Sequence, residues 1–426
     1  MLPGSFIPLL SALALGVALA PAAGSKPDAW PQYRGPRRDG VSAETGLMRS
    51  WPEAGPPVVW RKPIGEAFSS IAIVGDRLYT MGADPNDEYA VSLNAATGEE
   101  IWRAPLGERF EEEFGDGPRS SPVVDGDLFF ALSSRGRLVA LKSADGSKAW
   151  DVDLIAAFGG RVPPRGVSST PLVDGDVLIV EGGGTEGKAI QGLDKRTGQV
   201  KWTVLNGSAG YSSGITVTVD GVRQDVFVRS SSGEIVALDQ AGEVLWSHPW
   251  AAGAIAMPLF LPPNRIFASS SGDTGSTLVQ IEMNGRKGAV KELWGSRAMK
   301  NHFNSSVAVG DHIYGFDNAT LKCITAATGE QKWVQRGFGK GTLIAADGML
   351  IILGDQGTLA LSEATPDGYR EKGRAQALTG KCWTSPALAG GRLYLRDQDE
   401  IVSLDLRPRS RAALMVGEGA VRDGGM

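Results

Sequence analysis

The chain of 426 residues is poor in cysteine and histidine, with two cysteines and three histidines. The cysteines are not adjacent, and no Cys-x-x-Cys-His motif for haem attachment is present. A histidine-based metal site is not expected from three scattered histidines, and no local motif supports Ser-His-Asp catalysis. The sequence therefore predicts neither a metal centre nor catalytic residues.

An excess of positive charge is also lacking. The formal net charge is -5, the sequence pI is about 5.5, and no arginine-rich run occurs. Nucleic-acid binding usually relies on a basic surface that neutralises phosphates. We therefore predict no nucleic-acid partner. Beyond residue 23, no helical periodicity continues for more than a turn or two, so the helix content is expected to be small.

Near the amino terminus, residues 6–20 form an apolar run that is followed by small residues. This pattern is typical of a secretory signal peptide, which we place at residues 1–23, although the usual basic residues before the run are missing. An uncleaved anchor is the alternative, but the run is short for a membrane span of about 20 residues. We expect an exported protein of the periplasm or extracellular space, with no membrane span after cleavage.

A Gly-x-x-x-Trp segment recurs along the chain and accounts for most of its eleven tryptophans. Five copies have the glycine four residues before the tryptophan: Gly98 with Trp102, Gly146 with Trp150, Gly198 with Trp202, Gly242 with Trp246, and Gly329 with Trp333. Trp60 precedes this series and Trp294 belongs to it with a longer approach. A repeat of about 40–50 residues built from short strands indicates a β-propeller.

Between tryptophans, each cycle contains short apolar strands joined by turns of the Gly-Asp or Asp-Gly type, which favour β-hairpins. Eight such cycles occur between residues 58 and 406. The last cycle lacks its fourth strand, and the strand around Trp60 has no blade before it. We therefore predict an all-β, eight-bladed propeller of four-stranded antiparallel blades, in which the strand around Trp60 joins the C-terminal blade and closes the ring.

The repeated glycines and tryptophans are interpreted as structural residues. Glycine allows the positive φ of a tight turn, and a tryptophan at a fixed distance from that turn packs one twisted blade against the next. Residues 24–57 form an irregular lead-in that we expect to pack over one face, pinned by Trp30, Tyr33 and Trp51. Residues 407–426 are predicted to be a disordered tail. Whether Cys323 and Cys382 form a disulfide is left open.

The repeat resembles the PQQ-like β-propeller repeat, as seen in GRLVALKSADGSKAW and GEIVALDQAGEVLW, and the lead-in WPQYRGPRRDGVSAETGL is similar to that of secreted bacterial proteins with PQQ-binding-like repeats. Relatives with this repeat include quinoprotein dehydrogenases and the lipoprotein that helps to assemble outer-membrane β-barrels. The resemblance implies PQQ with calcium as cofactors of an enzymatic member. However, no Glu, Asn and Asp constellation for the metal aligns with this chain, and no cysteine for a lipid anchor follows the signal.

Polar or aromatic residues that precede the innermost strands are candidates for a ligand site at the propeller axis. They are Arg119, Arg165, Tyr211, His302, Asn304, Lys381 and Trp383. From different blades they would form a cationic, aromatic-lined pocket for a planar carboxylated ligand such as PQQ. The alternative is a ring of solvated loop residues. The acidic run Glu111–Glu113 is interpreted as a solvated loop.

Three functions are compatible with these observations. The leading hypothesis is a monomeric, non-catalytic propeller that binds a protein or a surface polymer. The alternative is a PQQ-binding quinoprotein oxidoreductase of the alcohol or sugar dehydrogenase type. A third is a scaffold for outer-membrane β-barrel assembly.

Overall fold

The computed structural model describes residues 29–408. The predicted signal peptide at residues 1–23 lies outside the described residues, as does most of the predicted tail. Within the described residues, 32 strands form eight separate four-stranded antiparallel sheets. The predicted eight-bladed β-propeller is therefore confirmed.

Blades 1 to 7 each consist of four consecutive strands, numbered from the innermost outwards. Blades 1 to 4 contain β2 (Ala72–Val74), β3 (Arg77–Ala83), β4 (Asp87–Asn94), β5 (Glu100–Glu108); β6 (Val123–Asp125), β7 (Leu128–Leu132), β8 (Arg137–Lys142), β9 (Lys148–Asp153); β10 (Leu172–Asp174), β11 (Val177–Val180), β12 (Ile190–Asp194), β13 (Val200–Val204); β14 (Ile215–Val219), β15 (Val222–Arg229), β16 (Glu234–Leu238) and β17 (Val244–Pro249).

Blades 5 to 7 contain β18 (Leu259–Leu261), β19 (Arg265–Ser269), β20 (Ser276–Asn284), β21 (Lys287–Ser296); β22 (Val307–Val309), β23 (His312–Asp317), β24 (Thr320–Thr325), β25 (Gln331–Gln335); β26 (Thr342–Ala346), β27 (Met349–Leu353), β28 (Thr358–Glu363) and β29 (Glu371–Gln376). The one helix among the described residues is α1 (Leu154–Phe158), which is capped by the side chain of Asp153 and ends at Gly159. It follows the outermost strand of blade 2.

Blade 8 closes the ring by combining the two ends of the chain. Its inner strands are β30 (Ala387–Ala389), β31 (Arg392–Arg396) and β32 (Glu400–Asp405), and its outermost strand is β1 (Val58–Pro63). Trp60 pairs with Ser403, and Pro63 pairs with Glu400. This pairing leaves no gap between the first and last blades, as predicted from the two incomplete cycles.

The seven repeated tryptophans lie in the outermost strands, in β1, β5, β9, β13, β17, β21 and β25. Six of their indole N–H groups donate to a backbone carbonyl of the next blade: Trp60 to Ala95, Trp102 to Ser143, Trp150 to Lys195, Trp202 to Gln240, Trp294 to Ala326, and Trp333 to Thr365. Trp246 instead donates to Gln224 of its own blade. The hydrophobic core accordingly lies between neighbouring blades.

The repeated glycines are set against these indoles. In each case the glycine belongs to the turn before the outermost strand of one blade, and the indole belongs to the preceding blade: Gly98 against Trp60, Gly146 against Trp102, Gly198 against Trp150, Gly242 against Trp202, and Gly329 against Trp294. A β-carbon at these glycines would lie between 2.5 and 3.2 Å from an indole atom. The glycine is therefore required by the neighbouring blade as well as by its positive φ.

Candidate functional site

Hydroxyl side chains at the start of the innermost strands link neighbouring blades around the axis. The Ser69 hydroxyl donates to the carbonyl of Ser120 at 2.6 Å, and the Ser120 hydroxyl donates to the carbonyl of Ser169 at 3.0 Å. The Ser121 hydroxyl of blade 2 also accepts from the backbone N–H of Ser70 of blade 1, at 3.0 Å. These positions therefore need small side chains that also form hydrogen bonds, since buried backbone groups at the axis must be paired.

Two arginines of the lead-in contact the starts of the innermost strands near this ring of hydroxyls. Arg34 donates to the carbonyls of Ser305 at 3.0 Å and Ser306 at 2.5 Å, in blade 6. Arg38 donates to the carbonyls of Gly214, at 3.0 Å, and of Pro171, which lie at the starts of blades 4 and 3. Both arginines are almost completely buried. The lead-in therefore closes one end of the axial channel.

The three aromatic residues of the lead-in take different positions. Trp30 is buried and pairs with Ile73 of blade 1 through two backbone hydrogen bonds of 2.9 and 2.7 Å. Trp51 is buried against blade 7, where its backbone N–H donates to the carbonyl of Lys372 at 3.0 Å. Tyr33 lines the inner end of an axial cavity. Burial raises the pKa of its phenol, so the group is neutral at physiological pH.

This axial cavity has a volume of about 500 Å³ and is open at the opposite end. Its lining includes residues that belong to, or directly precede, all eight blades. Six of the seven residues predicted from the sequence line it: Arg119, Arg165, Tyr211, His302, Lys381 and Trp383. The seventh, Asn304, is buried outside the lining, where its amide donates to the carbonyl of Gly341 at 2.8 Å.

On the side of blades 2 and 3, the cationic groups of the cavity are already paired. The Glu112 side chain is only 6% exposed, and it contacts Arg119, at 3.4 Å, and Arg165. Arg165 also contacts Glu113 at 2.8 Å. Two guanidinium groups and two carboxylates thus balance each other here. Burial lowers the pKa of Arg119, but an arginine remains protonated at neutral pH.

On the side of blades 6 to 8, two lysines have no such partner. Across residues 29–408, no carboxylate lies within salt-bridge distance of the Lys340 or Lys381 ammonium group. The Lys340 ammonium lies 3.4 Å from Nδ1 of His302, and that of Lys381 donates to the carbonyl of Phe114. Burial, and then the charge of Lys340, lowers the pKa of His302. The two ammonium groups on this side are therefore not ion-paired, and the nearby Asp355 carboxylate accepts instead from the backbone N–H of Lys340 at 2.9 Å.

Aromatic side chains connect these two lysines. The Phe303 ring lies 5.0 Å from that of His302 and 4.5 Å from that of Trp383. Trp383 is stacked on Phe68 at 5.3 Å, and the Lys381 ammonium lies 4.8 Å from its ring centroid. Aromatic rings present apolar faces and can attract cations. The lysines are therefore separated by a continuous apolar surface.

Sequence reasoning missed several residues of this cavity, notably Glu112, Phe303, Lys340, Phe68 and Tyr33. Lys340 and Phe303 occupy the same kind of position, just before an innermost strand, as the residues that were predicted. That position was a usable signal for both. Glu112 belongs to the acidic run that was interpreted as a solvated loop. This interpretation is wrong for Glu112, because Arg119 and Arg165 bury it, although Glu111 and Glu113 are exposed.

The described lining of the cavity does not supply the calcium ligands of the PQQ and calcium pair that the sequence resemblance implies. Among the described residues, no three His, Cys, Asp or Glu side chains are grouped to hold a metal ion. Glu112 is the one carboxylate in the lining, and it is engaged by two arginines. Hard cations such as calcium need several available oxygen ligands. Cys323 and Cys382 are both free and buried, and neither lies in the cavity lining.

A second depression of about 660 Å³ lies away from the axis, at the edge of blades 1 and 2. It is shallow, and its lining consists mainly of polar residues such as Asn86, Glu108 and Arg135. Arg135 and Glu108 form an ion pair of 3.1 Å there and are largely exposed. The axial cavity is the better candidate because it is more apolar and its polar groups converge from several blades. Separately, no helix within residues 29–408 is long and apolar enough to cross a membrane.

Solved structures with the same fold include BamB and quinohemoprotein alcohol dehydrogenases. BamB from Moraxella catarrhalis is 16% identical, with a TM-score of 0.59 over 84% of this chain and 100% of that chain. Quinohemoprotein alcohol dehydrogenase ADHIIG from Pseudomonas putida HK5 is 12% identical, with a TM-score of 0.61 over 91% and 81% of the two chains. The corresponding enzyme from Comamonas testosteroni is 11% identical, with a TM-score of 0.59 over 90% and 81%. At these identities the likeness shows the fold alone.

A search of curated protein sequences finds no match. A family model described as outer membrane protein assembly factor BamB matches residues 86–335, which is more than half of the chain. The matched segment covers the repeats from blade 1 to blade 6. The chain therefore belongs to this family of PQQ-like β-propellers.

Proposed function

We propose that this protein is an exported, non-catalytic binding module that receives a protein or surface-polymer partner at the open end of the axial cavity. The single observation that carries the proposal is the cavity itself, which is closed at one end by the lead-in and lined from every blade. Its polar groups are lysines, paired arginines and hydroxyls, which suit binding. The predicted signal peptide supports export.

A rigid ring supports this role physically. Each blade is fixed to the next by an indole, and the axis is fixed by hydroxyls and by two buried arginines. A pre-organised surface loses little conformational entropy when a partner binds, so the binding free energy is not reduced by the ordering of loops. We expect the protein to act as a monomer, because the strand around Trp60 completes blade 8 within the same chain.

The alternative function is a PQQ-binding quinoprotein oxidoreductase. The observation that favours it is the combination of aromatic rings and unpaired lysines at the axis, which suits a planar carboxylated molecule. If PQQ were bound, Lys340 and Lys381 would hold its carboxylates, and its quinone would supply the redox chemistry. The second alternative, a scaffold for β-barrel assembly, is favoured by the family match over residues 86–335.

Incubating the purified protein with PQQ and calcium separates these functions. After gel filtration, the binding-module proposal predicts no dye-linked oxidation of alcohols or sugars. Retained chromophore together with dye reduction would contradict it, provided that a Lys340→Met variant loses both signals. The matched control is Lys332→Met, which removes a lysine from the outermost strand of blade 6, outside the cavity lining.

The scaffold alternative has its own test. If the scaffold function holds, affinity purification of the wild-type protein from the producing cells recovers subunits of the outer-membrane assembly machinery. We expect no such enrichment if the protein is a binding module for another protein or a surface polymer. Recovery of those subunits would identify the partner as that machinery and would replace the general proposal by the scaffold function.

A further inference from the structure

The axial cavity is electrostatically asymmetric, and this asymmetry defines the kind of ligand it accepts. Around blades 2 and 3, Arg119 and Arg165 are neutralised by Glu112 and Glu113. Around blades 6 to 8, the Lys340 and Lys381 ammonium groups have no carboxylate partner within the described part of the chain. A charged group that enters the cavity therefore meets ammonium groups without an ion-pair partner on one side only.

One carboxylate of the protein, that of Glu112, already lies in the cavity, and its contacts show which groups stabilise a buried carboxylate there. Glu112 is almost buried, and it accepts from the N–H of Phe114 at 2.8 Å while it contacts both arginines. Charge-assisted contacts of this kind offset the cost of removing a carboxylate from water. The lysine side offers two ammonium groups of the same polarity without a carboxylate to occupy them. That side can therefore bind an anionic group of a ligand.

The body of the ligand is defined by the surface between the lysines. Phe303 and Trp383 connect His302 to Lys381 with ring centroids 4.5 to 5.0 Å apart, and Phe68 extends the apolar surface. Since the pKa of His302 is lowered, its ring is neutral at pH 7 and adds no further charge. Apolar atoms dominate the lining, so a hydrophobic body gains more from burial here than a sugar ring would.

One buried polar atom remains without a partner at this place. The hydroxyl of Ser385 is buried, lines the cavity next to Trp383, and has no hydrogen-bond partner within residues 29–408. At the equivalent position of blade 4, Ser213 accepts from the N–H of Thr170 at 2.8 Å, whereas the Thr342 hydroxyl of blade 7 is also unpaired among the described residues. An unpaired buried hydroxyl costs free energy unless a ligand or water satisfies it. It is independent support for an occupant on the lysine side.

We propose that the lysine side of the axial cavity binds a hydrophobic carboxylic acid. Its apolar body packs against Phe303 and Trp383, and the ammonium groups of Lys340 and Lys381, at the two ends of this surface, attract its carboxylate, to which Ser385 donates a hydrogen bond. The same chemistry is present in a free aryl or alkyl carboxylate and in the last residue of a protein chain that ends in a large apolar side chain. The inference rests on the proposed binding function and names the ligand class of its site.

Isothermal titration calorimetry on the purified full-length protein tests this assignment with 3-(2-naphthyl)propionate as the probe. We expect saturable binding, and binding at least about tenfold weaker for the matched neutral amide, because the amide cannot form charge-assisted contacts. Lys340→Met and Lys381→Met are each expected to weaken binding by about tenfold. Lys332→Met is the matched control and is expected to leave the affinity unchanged.

Two further arms identify the source of the acid. A short peptide that ends in tryptophan with a free carboxyl group is compared with its amidated form. Tighter binding of the free-carboxyl peptide than of naphthylpropionate assigns the site to a protein terminus, and the reverse assigns it to a free acid. Equal affinity for acid and amide, an equal loss in Lys332→Met, or tighter binding of galacturonate than of naphthylpropionate would overturn the inference.

The outcomes also separate this inference from the proposed function. Dye-linked oxidation with PQQ and calcium would remove the binding-module proposal without any change in the calorimetric result for the naphthyl acid. If the acid does not bind, but variants of the cavity residues still fail to bind a partner, the inference is contradicted and the binding-module proposal stands. Thermal melting followed by circular dichroism confirms that each lysine variant is folded before it is used.

Discussion

Gly146 and Trp102 form the contact that joins blade 1 to blade 2. A β-carbon on Gly146 would lie 2.7 Å from Cε3 of the Trp102 indole, and Gly146 has a φ of +71°. The Trp102 indole N–H also donates to the carbonyl of Ser143, three residues before that glycine. The fixed spacing of glycine and tryptophan thus produces a contact between consecutive repeats, in which five of the seven repeated tryptophans meet the glycine of the next copy.

Replacing Gly146 by alanine should destabilise the propeller by two separable effects. Positive φ costs alanine about 1 kcal/mol, and the clash with Trp102 adds about 1–3 kcal/mol. Gly126→Ala is the matched control, because Gly126 has a φ of +61° and a β-carbon added there would meet nothing within 4 Å. Urea unfolding should show a larger loss for Gly146→Ala. Equal losses would show that the indole does not restrict this position.

Removing the guanidinium group of Arg34 should loosen the closed end of the axis. Arg34→Met leaves the carbonyls of Ser305 and Ser306 without their donor, so we expect a loss of about 2–4 kcal/mol in the free energy of unfolding. Arg37→Met removes a largely exposed arginine from the same segment and should change stability by less than about 1 kcal/mol. Similar melting temperatures for the two variants would contradict the assigned role of Arg34.

Asp225 should make the protein less stable as the pH rises. Burial raises its pKa from 3.8 to about 7, against the opposing hydrogen bond from Thr216 and with a further contribution from Asp174. Because the folded-state pKa exceeds that of the unfolded chain, the unfolded chain loses this proton first. Stability is therefore full below about pH 4 and declines as the pH approaches 7, on the order of 2–4 kcal/mol for this one group.

The Asp225→Asn variant isolates this effect. Asparagine still accepts the Thr216 hydrogen bond but carries no charge, so the variant should gain stability over the wild-type protein at pH 8 and little or none at pH 4. Asp176→Asn, at an exposed position, should show no such pH-dependent difference. Urea titrations at both pH values measure the difference. A gain that is the same at pH 4 and pH 8 would contradict the assigned ionisation.

The fold could be predicted from the sequence because its determining contacts recur at a fixed spacing. The interval from Gly98 to Trp102 returns in later cycles, and the unpaired strand around Trp60 matches the missing strand of blade 8. The reason for the spacing was only partly accessible. The glycine was assigned to its own turn, whereas the contact with the indole of the preceding blade joins residues more than 30 positions apart.

The cavity was predictable in position but less so in composition. Residues before the innermost strands face the axis, and that rule located Arg119 and Trp383. The rule failed for Asn304, which turns away to bind the carbonyl of Gly341, because strand alternation does not hold in a loop. Glu112 was missed because its partner Arg165 comes from the next blade, and only the folded ring brings the two together.

Site-specific photo-crosslinking in the producing cells tests whether the open end of the axial cavity is the binding site. Phe114 is 42% exposed at the cavity, and Val334 is 45% exposed on the outermost strand of blade 6. With benzoylphenylalanine at either position, we predict a discrete adduct from residue 114 and none from residue 334. Adducts from residue 334 alone, or equal adducts from both positions, would contradict it.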